Sequence, residues 1–509
     1  MLTSVDFSGR PFHFIGIGGI GMSALAYVIA QRKLPVSGSD IRSSHITERL
    51  QAIGAHIFAE QQASNLEFFS ARPNSVSNGS KFVKYGETAK NGATYRAATL
   101  PESVLPQVVC STAINPANTE YRAALDLGCP ILHRSDLLAA LIQDYRSIAV
   151  AGTHGKTTTS SMAGYLLLEA GLDPTIVVGG EVTAWGGNAR LGKGKYLVAE
   201  ADESDGSLVK LSSEIGIITN IELDHPDHYE NLAEVIDTFQ VFARRCQITI
   251  GCIDCSTVKE HLKPAISYSL KPEIGADYTV DSVVYQAEGT TARVWERGHI
   301  LGQLNLQLLG EHNLSNALAV VALGRYLGLE FEVIATALAT FSGASRRFEK
   351  RGEVNGIRFI DDYAHHPSEI NVTLAAARIQ ANGLDFPQNR VVAIFQPHRY
   401  SRTQTFLTEF GQCFSSADLV VVTDIYSAGE AKLNDISGER VAEEIAAHHP
   451  EVVYQPSLKA VSRFLTENLQ PGDLAIFLGA GNLNQIIPEV VACYEQTAQG
   501  MPQEYRHRA

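Results

Sequence analysis

The stretch SIAVAGTHGKTTTSSM, Ser147 to Met162, constrains the fold of this 509-residue chain more than any other. Its apolar run Ile148–Ala151 reads as a buried strand. Gly152, Thr153, His154 and Gly155 form a turn, and Lys156 with Thr157, Thr158 and Thr159 opens a helix continuing through Met162–Leu168. Such a strand, turn and helix make a phosphate cradle. Unpaired N–H groups and the positive helix end face the anion, Lys156 adds a full charge, and the Thr157 hydroxyl can ligate Mg²⁺. The general pattern places a glycine five residues before Gly155, where this chain has Val150. The stretch is read as an ATP site.

Length predicts about three domains with ample core. Lys and Arg number 41 against 55 Asp and Glu, a net charge of −14, and no basic stripe exists to bind nucleic acid. An anionic substrate then needs local cations or metal to overcome a repulsive field. The seven cysteines, an odd number, are expected to be reduced packing residues. Phe14–Ala30 is uncharged, but Asp6 and Arg10 precede it and its glycines have a better explanation than a signal peptide. With no run long enough to span a bilayer, a soluble, cytoplasmic protein without membrane insertion is expected. Monomer and homodimer both stay open.

Pro11–Ile17 is a strand candidate, with Gly16, Gly18 and Gly21 in GxGxxG spacing and a helical run Met22–Gln31. Asp40 follows a second apolar piece, Leu34–Ser37. This is a dinucleotide fingerprint: glycines for close backbone approach, an acid for a ribose hydroxyl. It marks a diphosphate-bearing nucleotide without saying which. Ala71–Pro106 breaks the pattern with Pro, Ser, Asn, Gly and Lys, and is expected to be a long loop or disordered insertion. Val108–Ser111 resumes as a strand, STAINPAN (Ser111–Asn118) follows as a loop, and a helix to about Tyr145 closes the first domain.

Two acid clusters follow the ATP loop. Lys195–Glu200 is a buried strand running into Glu200, Asp202, Glu203 and Asp205, and Ile215–Thr219 is another, followed by Asp224, His225, Asp227 and His228. Open α/β sheets place ligands at the carboxyl ends of their strands, so a Mg²⁺–ATP site is the economical reading. A helix starting in GEHNLSNALAVVAL (Gly310–Leu323) puts Asn313 and Asn316 on one face. SRRFEKRG (Ser345–Gly352) reads as a charged connector. Beyond it come a strand Ile357–Asp361, the loop DDYAHHP, a helix Ile370–Gln380, and strands Val391–Phe395, Leu419–Thr423 and Leu474–Leu478. In HRYSR, Arg399 and Arg402 converge if the segment is helical, forming a fork for a carboxylate.

The motifs GIGGIGMSALA, AGTHGKTTT, EADESD, TNIELDH, GEHNLSNALA, RRFE, DDYAHHP and QPHRYSRT stand in the order found in the Mur ligases, and nearly the whole chain resembles that family. DDYAHHP with HRYSR is most similar to its L-alanine-adding branch. The resemblance implies a three-domain α/β fold. A Rossmann-like domain at 1–146 would carry the 71–106 insertion, a central P-loop ATPase-type domain with a mixed or parallel sheet would span 147–344, and a Rossmann-like domain would span 345–509.

The implied activity is ATP-dependent joining of L-alanine to the lactyl carboxylate of UDP-N-acetylmuramate through an acyl phosphate, for peptidoglycan synthesis. Gly152, Thr153, His154, Gly155, Lys156, Thr157 and Thr158 would bind ATP, with adenine on Asn313 and Asn316 and further contacts from Arg347 and Asp362. Thr157, Glu200 and His225 would hold Mg²⁺, two ions in all, and Lys156, Glu200, His225 and Arg347 would be the catalytic set. Gly16, Gly18, Gly19, Gly21, Asp40, Ser111 and Arg134 would bind the UDP-sugar rather than NAD, and Tyr363, His365, Arg399 and Arg402 the amino acid. An NAD-dependent oxidoreductase accounts for the first fingerprint but leaves the Gly-Lys-Thr loop unused. A non-catalytic nucleotide-binding module leaves the two acid clusters unused.

Overall fold

The computed structural model describes residues 5–69, 105–383, 386 and 389–500, and it holds three sheets. The insertion expected at 71–106 lies outside the described residues except for its last two. The first sheet is built from β1 (Phe12–Ile15), β2 (Val36–Ser39), β3 (His56–Phe58), β4 (Gln107–Cys110) and β5 (Ile131–His133). Its order is β3-β2-β1-β4-β5, every pair parallel, so the chain reverses direction of travel beside β1. The glycine turn sits at that switch point, where open sheets bind ligands. The helix after it, Ile20–Gln31, begins two residues earlier than its periodicity suggests.

The second sheet contains β6 (Arg146–Ala151), β7 (Thr175–Val182), β8 (Gly187–Arg190), β9 (Tyr196–Glu200), β10 (Ile215–Ile218), β11 (Ile248–Cys252) and β12 (Ile266–Tyr268). It continues into β13 (Tyr278–Gln286), β14 (Gly289–Glu296) and β15 (His299–Leu306), an antiparallel meander. The order is β15-β14-β13-β12-β11-β10-β6-β9-β7-β8. The phosphate-loop strand β6 therefore has β9 on one side and β10 on the other, both parallel to it. That pairing brings the carboxyl ends of all three strands, and the motifs that follow them, to one edge. The strands read as unbroken apolar runs because helices cover both faces. Among these, Lys156–Glu169 and Glu311–Tyr326 pack on each other.

The third sheet has β16 (Glu349–Val354), β17 (Ile357–Asp362), β18 (Val391–Phe395), β19 (Leu419–Thr423), β20 (Val452–Gln455) and β21 (Leu474–Leu478). Its order is β16-β17-β21-β18-β19-β20, with only β16 antiparallel. The segment read as a charged connector is thus partly an edge strand, whose run of charged residues deters pairing with other chains. Cys252 and Cys255 have Cys-x-x-Cys spacing, yet both thiols are free. Cys255 Sγ accepts from the Ile221 N–H at 3.4 Å. Among the described residues no helix is long and apolar enough to cross a membrane.

Phe395, fully buried, lies with its ring 5.3 Å from Phe410 and 5.4 Å from Phe414. Phe395→Ala leaves a cavity between sheet and helix and is expected to destabilise the third domain by about 3–5 kcal/mol. A lowered urea midpoint for that domain's transition is the measurement that checks it.

Candidate functional site

The turn after β6 needs backbone that only glycine adopts freely. Gly155 has φ 82° and a Cβ there would stand 2.6 Å from Asn316 Oδ1. The turn is stapled to the end of β10. Thr153 N–H donates to Asn220 O at 3.0 Å, His154 N–H to Asn220 Oδ1 at 2.8 Å, and Thr219 Oγ1 to His154 O at 2.6 Å. Lys156 Nζ donates to Gly152 O (2.6 Å), Thr153 O (3.0 Å) and Glu203 Oε1 (2.8 Å). Burial opposes its charge, but Glu203, Asp202 and Glu200 outweigh that, so the ammonium is held above the ordinary lysine range. Burial drives the Glu203 carboxyl up to about 7 despite Lys156. Thr158 is buried on the same helix.

Glu200, the last residue of β9, accepts the Gly179 N–H at 2.8 Å. A Cβ on Gly179 would lie 2.5 Å from the Glu200 carboxylate, and one on Gly180 2.9 Å from Thr157 Cγ2. The two glycines keep a cradle open beside a hydroxyl and a carboxylate, hard oxygen donors that suit Mg²⁺. His225, in left-handed backbone at φ 56°, is kept neutral by burial and by the nearby Arg402 and Lys156, against Asp224. A neutral imidazole is the form that ligates metal.

Arg347 reaches the loop from the connector, its Nη2 3.4 Å from Thr157 Oγ1 and its guanidinium 5.0 Å from the Tyr363 ring centre. Asp362 accepts from Phe348 N–H (2.7 Å) and Ala364 N–H (2.8 Å), and burial lifts its carboxyl to about 6. Asn313 and Asn316 are both buried. Asn313 donates to Leu309 O at 2.8 Å, and Asn316 packs on Gly155.

Arg399 and Arg402 do not form a fork. Arg399 precedes the helix Tyr400–Thr405 with φ 69° and donates to Asp227 (2.8 Å) and Glu430 (3.3 Å). Arg402, only 1 % exposed, donates to Asp224 at 2.8 Å. Each arginine thus holds an acid of the central domain, a pairing that spacing within HRYSR cannot reveal. Around Arg402 stand three imidazoles. Besides His225, burial lowers His365 to about 4, and burial with His365 and Arg402 lowers His398 to about 2.

In the first domain, Gly16 turns the chain at φ 76° and Gly19 N–H closes that turn onto Gly16 O at 3.2 Å. Asp40 accepts the Gly18 N–H at 2.8 Å, and so supports the turn itself. Ser111 O accepts from Ile114 N–H at 3.1 Å. Arg134 stands near Gly21 and donates to Asp202 and Asp205, both at 2.9 Å, tying the first domain to the central acid cluster.

A cluster the motif reading did not single out joins the central and third domains. His154 Nε2 lies 3.2 Å from Glu222 and its Nδ1 3.2 Å from Glu369, while Ser368 Oγ donates to Glu222 at 2.8 Å. His154, Glu222 and His366 place ligand atoms within 4.8 Å of one another. Protons, not a metal, fit this group. Both nitrogens of His154 face carboxylates, and His366 Nδ1 accepts the Ser368 N–H at 3.3 Å, which leaves its proton on Nε2. Sequence offered His154 in the phosphate turn and His366 in DDYAHHP, but no hint that they meet around Glu222.

Fold and site together define an enzyme of the three-domain ligase type. The chain matches the Mur ligase family, catalytic domain over residues 11–146, the Mur ligase middle domain over 150–324 and the Mur ligase, glutamate ligase domain over 346–481. It is 67 % identical over 498 residues to a UDP-N-acetylmuramate–L-alanine ligase of Nostoc punctiforme, covering 98 % of this chain and 99 % of that one. It is 62 % identical to the ligase of that name from Microcystis aeruginosa, covering 97 % and 98 %. The crystal structure of a UDP-N-acetylmuramate–alanine ligase from Thermotoga maritima superposes with a TM-score of 0.77 at 27 % identity, covering 96 % and 99 %. The chain belongs to the Mur ligase family.

Two predictions follow from the charge pairs. Arg402→Ala strands the buried Asp224 carboxylate and should cost about 3–5 kcal/mol. Part of the lost thermal midpoint should return in the Arg402→Ala, Asp224→Asn double variant. At His154, burial disfavours the imidazolium, but Glu222 and Glu369 outweigh it and hold the group up to about 10, against 6.5 ordinarily. The folded chain then binds this proton more tightly than the unfolded one. Its stabilisation is full below pH 6.5 and lost as pH rises towards 10. Thermal midpoints measured across that range should fall more steeply for the natural chain than for His154→Gln.

Proposed function

We propose that this enzyme joins L-alanine to the lactyl carboxylate of UDP-N-acetylmuramate, converting ATP to ADP and phosphate, in peptidoglycan precursor synthesis. The near full-length match to ligases of that name carries the reading. The cleft supports it, because three sheets meet there with a phosphate loop at the centre. In this reading the first domain presents the UDP-sugar from the Gly16–Gly21 turn, Asp40, Ser111 and Arg134. The central domain holds ATP, with adenine at Asn313 and Asn316 and with Arg347 and Asp362 completing the site. The third receives alanine at Tyr363, His365, Arg399 and Arg402.

The reaction begins as a carboxylate oxygen attacks the γ-phosphorus and ADP leaves, giving an acyl phosphate. The alanine amine then attacks the carbonyl carbon, phosphate leaves with the C–O bond electrons, and an amide remains. The first step brings two anions together. At an effective dielectric near 20, two unit charges about 4 Å apart repel by roughly 4 kcal/mol. Lys156 and Arg347 supply fixed positive charge against that repulsion. Mg²⁺, held by Thr157, Glu200 and His225, would neutralise phosphate charge when bound. Arg402 is already held by Asp224 and Arg399 by Asp227 and Glu430, so the alanine carboxylate would share a guanidinium with an acid, and half-buried Arg399 is the more open of the two. Of His225 and His365, the former is engaged when it ligates Mg²⁺, which leaves neutral His365 to take the proton that the ammonium of alanine must lose before it attacks.

Phosphate release measured with ATP, UDP-N-acetylmuramate and a panel of amino acids tests the function. Release that needs both the UDP-sugar and alanine is expected, and release indifferent to either substrate would overturn it. Lys156→Ala should lower kcat by roughly two to three orders of magnitude, the scale of losing one transition-state charge contact. A near-normal rate in that variant would remove the lysine from the mechanism.

A further inference from the structure

Glu369 occupies the first turn of the helix Pro367–Asn382 in the third domain, and its carboxylate faces two ways. One oxygen, Oε1, lies 3.2 Å from His154 Nδ1 in the phosphate turn of the central domain. The other, Oε2, accepts the backbone N–H of His365 at 3.0 Å and that of His366 at 3.3 Å, and stands 3.3 Å from His365 Nδ1. His365 Nδ1 also donates to Tyr363 O at 2.8 Å. With the Nδ1 proton committed to Tyr363 O and the Glu369 carboxylate beside it, His365 carries its lone pair on Nε2. A single carboxylate thus touches the phosphate turn and braces the histidine of the amino-acid loop through its backbone N–H and beside its Nδ1.

We propose that Glu369 is a positioning residue that couples the two substrate loops, holding the phosphate turn through His154 and the amino-acid loop through His365. The inference rests on ATP and alanine binding where proposed above. A helix-capping carboxylate needs only the two backbone donors. The contact with His154 crosses a domain boundary, and Glu222 flanks the same ring on its other side, so the turn is gripped between one carboxylate of each domain. When the domains separate, His154 must lose Glu369, while His365, in the same domain as Glu369, keeps it. The geometry therefore links the shape of the phosphate turn to the approach of the third domain.

The test compares the full-length chain with Glu369→Gln, His154→Gln and the double variant. Glutamine retains an oxygen for the backbone donors and so keeps the helix cap, but loses the charge that faces His154. Phosphate release gives kcat and the two KM values, and thermal unfolding reports the fold. Glu369→Gln should raise the KM for ATP as well as that for alanine, each about tenfold, the usual scale of coupling between sites. Its midpoint should fall too, because the His154 imidazolium loses one of its two carboxylates, so the KM values and not the midpoint carry the test. The double variant should be no worse than the poorer single, because both remove one contact. A lowered midpoint with both KM values unchanged, an effect on alanine alone, or losses that multiply in the double variant would each overturn the coupling. A natural chain that releases no phosphate from ATP would instead refute the proposed function, and is distinguished by that control.

Discussion

The ammonium of Lys156 is clamped between two carbonyls of its own turn and the Glu203 carboxylate, and the rest of the cleft is organised around that positive charge. An uncompensated ammonium at this depth would lose its proton or unfold the turn. The acids of β9 and the following loop supply the compensation, and Arg134 in turn balances Asp202 and Asp205 from the first domain. Arg402 does the same for Asp224 from the third. A chain with a net charge of −14 therefore concentrates alternating charge where its three domains meet. Each domain contributes to a lattice of pairs that none could complete alone.

That arrangement explains which parts were legible from residues alone. Parallel strands buried on both faces are continuous apolar runs, and the polar residues after them mark their carboxyl ends. Ile148–Ala151, Tyr196–Glu200 and Ile215–Ile218 announce themselves in this way, and the motifs after them meet because β6 lies between β9 and β10. The glycine turn after β1 is visible for the same reason. Edge structure is harder to see. Glu349–Val354 (EKRGEV) is mostly charged with little apolar content, so its strand character depends on β17 beside it.

Pairing between domains left no mark in local spacing. Arg399 and Arg402 are three residues apart, yet the backbone at Arg399 lies outside the helix and the two side chains serve different acids. Asp40 looks like a ribose ligand by position, and in the structure its carboxylate also carries the Gly18 N–H. Glu222 sits inside TNIELDH without standing out, and Glu369 follows DDYAHHP on a helix's first turn, where a glutamate is ordinarily a cap. Only the folded chain shows that both reach one histidine.

The order of the third sheet has a consequence for how the molecule is made. Its last strand, β21, lies in the middle, between β17 and β18. During synthesis those two strands emerge long before their shared neighbour, each with one edge bare. The domain cannot close until Leu478 has left the ribosome, and the first two sheets need nothing from it. Long-range parallel pairing of this kind is slow and exposes sticky edges while it waits. Nascent chains halted before β21 would thus carry two fully paired sheets and an open, aggregation-prone half-sheet.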